Sequence, residues 1–290
     1  MIPSDIIDDI ERHCRTSFSG ILGKSFAPRR MAMEFVEERR IEEQIALLKD
    51  LVRCDLKGQS LLEVGSGYGL LVAVARRRHG IHAFGLEPGG QFQGTVAVSR
   101  RIMQAYGVPD HCVVQGWGED VPFAEGSFDV VYSVNVLEHV RDPFRVLSES
   151  VRVLRPSGHL VFVIPNYGSW WEGHYGLPMV PCCPKALFKV FVKLLGRDPA
   201  FVDTLNFIMY RDVRTWVRLL ESQCELMTVG QDIWEDRMRT LAFSEWAALG
   251  TLKKLLRVVA ALRLTEPIIW VGRRLHWETP FVLVLRKRSR

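Results

Sequence analysis

Residues able to do chemistry gather in three places along the chain. In Leu61-Leu62-Glu63-Val64-Gly65-Ser66-Gly67-Tyr68-Gly69, an acid and three alternating glycines follow an apolar run. Leu61, Leu62 and Val64 read as the end of a buried strand, and Leu70–Arg78 as the helix after it. A tight strand-to-helix turn needs glycine where the backbone approaches a ligand and a Cβ would stand in the way. The second place is Glu87, about 20 residues beyond the turn, the spacing at which an acid closing a second strand accepts hydrogen bonds from ribose hydroxyls. NAD-binding folds share both features, so these two alone leave the cofactor open. The third place is the loop Tyr167–Pro184, which carries Glu172 and His174 among Trp170, Trp171 and Tyr175. A hydroxyl nucleophile needs a proton acceptor within hydrogen-bond reach, and imidazole titrates near neutral pH, so His174 is the first candidate for general base. Glu172 is an alternative base or the group that orients the imidazole. A purely local role for His174 within its loop stays open beside these readings.

Strands and helices in alternation must hold these groups. After the glycine turn the helix ends at Gly80, Ile81–Leu86 forms the second strand, Val96–Tyr106 a helix and Cys112–Val114 the third strand. Phe128–Val134 is a largely apolar strand. Asp142-Pro143 then supplies an N-cap and first turn for a helix over Phe144–Leu154, and Leu160–Ile164 follows as a strand. Such alternation makes a parallel sheet with right-handed crossovers, with ligands at the carboxyl ends of the strands.

The motifs, taken together, resemble those of the class I S-adenosylmethionine (SAM)-dependent methyltransferases, Methyltransf_11-like subgroup. Glu63 with Gly65, Gly67 and Gly69 is similar to motif I, and Glu87-Pro88-Gly89-Gly90 to motif II. Gly116-Trp117-Gly118-Glu119-Asp120-Val121-Pro122-Phe123 looks like the adenine-side segment, with Trp117 where an aspartate is usual. Ser127-Phe128-Asp129-Val130 opens, and Asn135-Val136-Leu137-Glu138-His139 closes, a strand of the Leu-Glu-His type. Leu154-Arg155-Pro156-Ser157-Gly158 matches the Leu-Lys-Pro-Gly-Gly turn. The match covers about residues 58–167, and an NAD enzyme would not show the later motifs in this order. The resemblance implies a Rossmann-like, doubly wound α/β fold with a mostly parallel seven-stranded sheet whose last strand is antiparallel. The cofactor would be S-adenosyl-L-methionine, leaving as S-adenosyl-L-homocysteine. Glu63, Gly65, Ser66, Gly67 and Gly69 would take its methionine part, and Glu87 and Pro88 the ribose. Trp117, Gly118 and Glu119 would take the adenine, with Trp117 either stacking on the ring or simply packed, and Asn135 would complete the site. His139 becomes the second candidate base, because the matching strand end faces the cleft.

The implied reaction is methyl transfer to oxygen on a small-molecule, glycan or lipid-linked acceptor. The Asn/Asp-Pro-Pro-Tyr/Phe strand end of amide and base N-methyltransferases is replaced by Asn135-Val136-Leu137-Glu138. A nucleic-acid or N-methyltransferase and a catalytically inactive SAM-fold binding protein are the alternatives. A formal charge of +5 with 48% hydrophobic residues is ordinary for a globular protein and does not by itself call for nucleic acid. The basic end Arg286–Arg290 permits contact with nucleic acid or anionic lipid, or none. Six scattered cysteines without a Cys-x-x-Cys pair indicate reduced thiols in the cytoplasm and no metal site. Acidic Asp5, Asp8, Asp9 and Glu11 interrupt any signal-peptide run.

Outside the core, 1–57 reads as an N-terminal helical cap, and 168–210 as a substrate loop and basic-apolar helix insertion. Residues 211–232 read as a core helix and strand, 233–278 as a helical insertion, and 279–290 as the last strand and basic tail. Lys185, Lys189, Lys193 and Arg197 repeat every fourth residue within a very apolar helix, which is either largely buried or lies peripherally on a membrane. The chain is expected to work as a monomer or homodimer.

Overall fold

The computed structural model describes residues 2–23, 26–89, 94–241 and 250–289, without the side chains of 250–253. Three helices, α1 (Ser4–Leu22), α2 (Pro28–Phe35) and α3 (Glu38–Val52), precede the sheet. Strands β1 (Ser60–Val64), β2 (His82–Glu87), β3 (Val113–Gln115) and β4 (Phe128–Val134) alternate with helices α4 (Leu70–His79) and α5 (Thr95–Ala105). Helix α6 (Pro143–Val153) leads into β5 (Leu154–Ile164). A short hairpin follows, β6 (Trp171–Glu172) and β7 (Leu177–Pro178), then α7 (Lys185–Leu194), α8 (Phe201–Thr204) and α9 (Tyr210–Leu220). Strand β8 (Cys224–Thr228), helices α10 (Gln231–Thr240), α11 (Gly250–Ala261) and α12 (Thr265–Leu275), and strand β9 (Phe281–Lys287) complete the order.

The seven long strands form one sheet in the order β3-β2-β1-β4-β5-β9-β8. The first five are parallel, and β9 runs antiparallel to both neighbours. Strand order reverses between β1 and β4, so a crevice opens at their carboxyl ends. Period-two alternation sends Leu61 to one face and Leu62 and Val64 to the other. On the first face Ile6, Ile10 and Cys14 of α1 and Ile41, Ile45 and Leu48 of α3 join α4 and α5 in one core. Each such isoleucine contributes about 1.5–3 kcal/mol by burial, enough to fix the N-terminal helices to the sheet rather than leave them as a loose cover. Helices α6 and α9 cover the opposite face.

Several local signals fold as their chemistry dictates. Asp142 caps α6 by accepting the Arg145 N–H at 3.0 Å. Asp129 accepts the Ser60 N–H at 2.8 Å and the Arg155 guanidinium at 2.7 Å, tying β1, β4 and the start of β5 together. Strand β5 begins six residues earlier than the apolar run suggests, because Ser157 takes a left-handed φ of 65° that carries the Arg155–Gly158 turn along the sheet. Two residues of the basic end make structural contacts. The Lys287 ammonium donates to the carbonyls of Val151, Arg152 and Leu154 at the end of α6, and Arg288 donates to Glu221.

Helix α7 departs from the buried alternative. Only Phe188 and Val192 are buried, while Leu187 and Leu194 are 62% and 80% exposed. No described helix is long and apolar enough to cross a membrane.

Candidate functional site

The crevice is built from the glycine turn upward. Gly65 and Ser66 donate their N–H groups to the Leu86 carbonyl at 2.8 and 3.1 Å, locking the turn to β2. Gly65 has φ 75°, and a Cβ there would stand 2.2 Å from Val136 of the β4 loop. Gly67 has φ 51°, yet a Cβ there would meet nothing within 4 Å. Gly65 is therefore crowded by protein, whereas Gly67 has positive φ and leaves its side of the turn open. Gly69, the left-handed N-cap of α4, backs onto Met103, Val113 and Ser99. The buried Ser66 hydroxyl has no hydrogen-bond partner among the described residues.

Two acids flank the turn. Glu87 closes β2 and accepts the Gly67 N–H at 2.9 Å. Burial raises its carboxyl above the ordinary range, opposed by the N–H groups of Gly67 and Gly89. Glu63 lies beside Tyr132 of β4, and its Oε2 is buried without a hydrogen-bond partner. Burial, and after it the nearby Glu87 charge, pushes the Glu63 carboxyl up to about 8. From α10 comes Arg237, whose pKa burial lowers and whose electrostatic neighbours are Asp236 and Tyr132. It makes no hydrogen bond or ion pair among the described residues, an arrangement that suits an anion. Sequence reasoning passed over Arg237 because α10 carries no motif. On α1, His13 stacks on Tyr68 of the turn at 6.2 Å, so the N-terminal helices do border the crevice.

On the adenine side the placements are mixed. Trp117 is 52% exposed, with the Arg141 guanidinium 5.6 Å above its ring, so it is not packed away in the core. Gly118 is backed against Val146 and Val64. Glu119 spends Oε1 on the N–H groups of Arg141 and Asp142 at 2.9 and 3.5 Å, which fixes the approach to α6 and leaves only the buried Oε2 unpartnered. The Pro88 carbonyl accepts from Gln115 at 3.3 Å. Asn135 stands exposed at the end of β4 with a left-handed φ of 54°.

Beyond β4 the structure brings together residues that lie far apart in sequence. His174 Nδ1 and Glu172 Oε1 are 2.7 Å apart, and Glu172 Oε2 accepts the Tyr175 N–H at 2.7 Å. Across from them, His174 Nε2 lies 3.2 Å from His139 Nε2. Glu138 completes the group, fully buried, with both carboxylate oxygens lacking hydrogen bonds. Its backbone is pinned by Asn206, whose side-chain amide donates to the carbonyls of Leu137 and Val140. Burial pushes Glu138 up to about 7, with His174 opposing. Burial also lowers His174, but Glu172 and Glu138 outweigh it and hold the imidazole above its ordinary value. His139 is driven down to about 3 by burial and by His174. Glu172 is thus an orienting group, its two oxygens committed to His174 and Tyr175. The buried Glu138 was missed as a site residue because a charged residue just past a strand reads as surface.

Over residues 62–162 the fold and the crevice are those of a class I SAM-dependent methyltransferase domain. Residues 62–162, from β1 through most of β5, match the Methyltransf_11 family, described as a methyltransferase domain. An uncharacterized methyltransferase of Mycobacterium sp. (strain JLS) is 39% identical over 119 residues, 41% of this chain and 42% of that protein. The ubiquinone biosynthesis O-methyltransferase of Cronobacter sakazakii is 33% identical over 132 residues, 43% of this chain and 53% of that protein. The chain thus spans about half the length of the curated relatives it matches. Among solved structures, a putative sarcosine dimethylglycine methyltransferase from Galdieria sulphuraria shares the fold, with TM-score 0.52 and 16% identity over 97% of this chain and 99% of that one.

Proposed function

We propose that this protein transfers a methyl group from SAM to an oxygen of a small-molecule, glycan or lipid-linked acceptor. The observation that carries the cofactor is the pair of acids around the glycine turn. The Gly67 N–H that a dinucleotide pyrophosphate would need already serves Glu87. A cationic sulfonium with a protonated amine and a ribose diol is complementary to the same two carboxylates. Arg237 supplies the counter-charge for the cofactor's own carboxylate. In the reaction the acceptor O–H loses its proton and an O–C bond forms. The S–C bond breaks, its electron pair stays on sulfur, and the sulfonium becomes a thioether. The cluster of Glu138, His139, Glu172 and His174 lies past the carboxyl end of β4, on the crevice side of the sheet. It is where the released proton is received. Oxygen is favoured over nitrogen because Val136-Leu137-Glu138 stands where an amide N-methyltransferase would place its Pro-Pro-aromatic clamp.

Calorimetry with SAM tests the cofactor. Glu87→Ala removes charge-assisted hydrogen bonds to the ribose and should weaken binding about 10- to 100-fold. Equal affinity in wild type and variant, or no binding by either, would sink this reading.

The outward face of α7 supports a lipid surface as the place where the acceptor is met. Leu187, Val190 and Leu194 point outward beside the exposed Lys193, a match for anionic headgroups over an apolar layer. Cosedimentation with phosphatidylserine vesicles should exceed that with phosphatidylcholine vesicles. A Leu187→Asp/Leu194→Asp double variant should cut it by about tenfold or more. Indifference to both changes, or burial of α7 in a dimer detected by sedimentation, would overturn it.

A further inference from the structure

The Glu138, His139 and His174 side chains have a geometry that proton handling alone does not require. His139 Nε2 and His174 Nε2 are 3.2 Å apart, and Glu138 Oε1 lies 3.8 and 3.7 Å from them. The point equidistant from these three atoms is about 2.1 Å from each, the bond length of a divalent transition-metal ion to imidazole nitrogen and carboxylate oxygen. Glu138 is fully buried, and neither of its oxygens has a hydrogen-bond partner among the described residues. A buried carboxylate in that condition is costly unless a cation meets it. The His174 imidazole is oriented as a ligand. His174 has its Nδ1 on Glu172 at 2.7 Å, the carboxylate–histidine arrangement that fixes tautomer and ring plane while presenting Nε2 to an ion. Phe201 lies 5.5 and 6.1 Å from the His174 and His139 rings and adds an apolar wall.

We propose that Glu138, His139 and His174 form a three-ligand site for a divalent transition-metal ion, with open coordination positions for oxygens of the acceptor. Two imidazoles and one carboxylate favour borderline ions such as zinc or iron(II) over magnesium, which prefers all-oxygen shells. The presence of the ion is independent of the methyltransferase reading, but its role rests on that reading. With the ion bound, the two Nε2 atoms are ligands and no longer take the proton. Held by Glu138, His139 and His174, the ion would supply Lewis-acid activation of an acceptor hydroxyl, whose proton would leave to water as the O–C bond forms and the S–C bond breaks.

The test loads the chelator-stripped full chain with cobalt(II), whose visible ligand-field bands report the donor set, and measures metal retained after gel filtration. One equivalent with a visible band is expected, lost in both Glu138→Gln and His139→Ala. Glu172→Gln should weaken retention about 10- to 100-fold, as loss of an orienting carboxylate does. SAM binding, measured by calorimetry on the same samples, should persist in all three variants, and this shows that they are folded. Failure to retain cobalt, or retention that these substitutions leave unchanged, would overturn the site. Metal retention without SAM binding would leave the site standing and remove the methyltransferase reading.

Discussion

Replacing Glu63 by glutamine is expected to flatten the pH dependence of both stability and cofactor binding. The wild-type carboxyl titrates near 8 in the folded chain against an ordinary 4.5, because burial and then Glu87 disfavour its charge. A carboxyl raised on folding contributes stability that is fully present below its unfolded value and is lost as pH rises through its folded value. The free protein should therefore lose stability from about pH 4.5 to about pH 8, by an amount on the order of a few kcal/mol at most. Glu63→Gln, neutral throughout, should melt at a less pH-sensitive temperature. Cofactor binding should show the opposite trend. A protonated amine or sulfonium needs the carboxylate, so binding below pH 7.5 expels a proton. The cofactor's own α-amino group stays mostly charged over that range. Affinity should rise about tenfold per pH unit, close to 100-fold from pH 5.5 to 7.5. Calorimetry at pH 6 in buffers of different ionisation enthalpy should report release of about one proton for wild type and none for the variant. Parallel pH profiles for the two proteins would remove Glu63 from the cofactor site.

Glu63 was readable from sequence because its partners are local, whereas the His174 cluster was readable only in part. The glycine turn, the Asp142-Pro143 cap and the strand–helix alternation are all short-range signals, and the sheet follows from them. His139, Glu172 and His174 were nameable by chemistry, but their meeting depends on how the Tyr167–Pro184 loop folds back past β4. That fold is set by burial of Tyr167, Tyr175 and Met179 against Phe188 and Val202, which no local pattern announces. Glu138 carried no signal of burial. Its neighbour Asn206, 68 positions on, holds its loop through backbone hydrogen bonds. Trp117 shows the converse. Its sequence left open stacking on the adenine or packing, and here it stands half exposed under Arg141. Lys287 of the basic tail likewise finds carbonyl acceptors on α6, more than 130 positions earlier.

Alanine at Gly65 and at Gly67 should fail in different ways, and the contrast separates folding from binding at one turn. Both residues have positive φ, so an alanine Cβ costs about 1–2 kcal/mol at either position. At Gly65 the new methyl would also drive into Val136, whose β-branched side chain has little freedom to rotate away, adding about 1–3 kcal/mol of overpacking. Gly65→Ala should therefore lower stability by about 2–5 kcal/mol in denaturant melts, and any loss of cofactor affinity follows from a displaced turn. At Gly67 nothing stands within 4 Å, so stability should fall only by the conformational term. Its methyl, however, occupies the side of the turn left open beside Glu87, where the cofactor must approach the backbone. Gly67→Ala should thus cost more in binding than in folding, with SAM affinity down about tenfold or more while the melt shifts by roughly 1–2 kcal/mol. If instead both variants lost stability equally and bound SAM alike, the open side of Gly67 would not be the cofactor surface. The crevice would then have to be sought on the Trp117 side of the β4 loop.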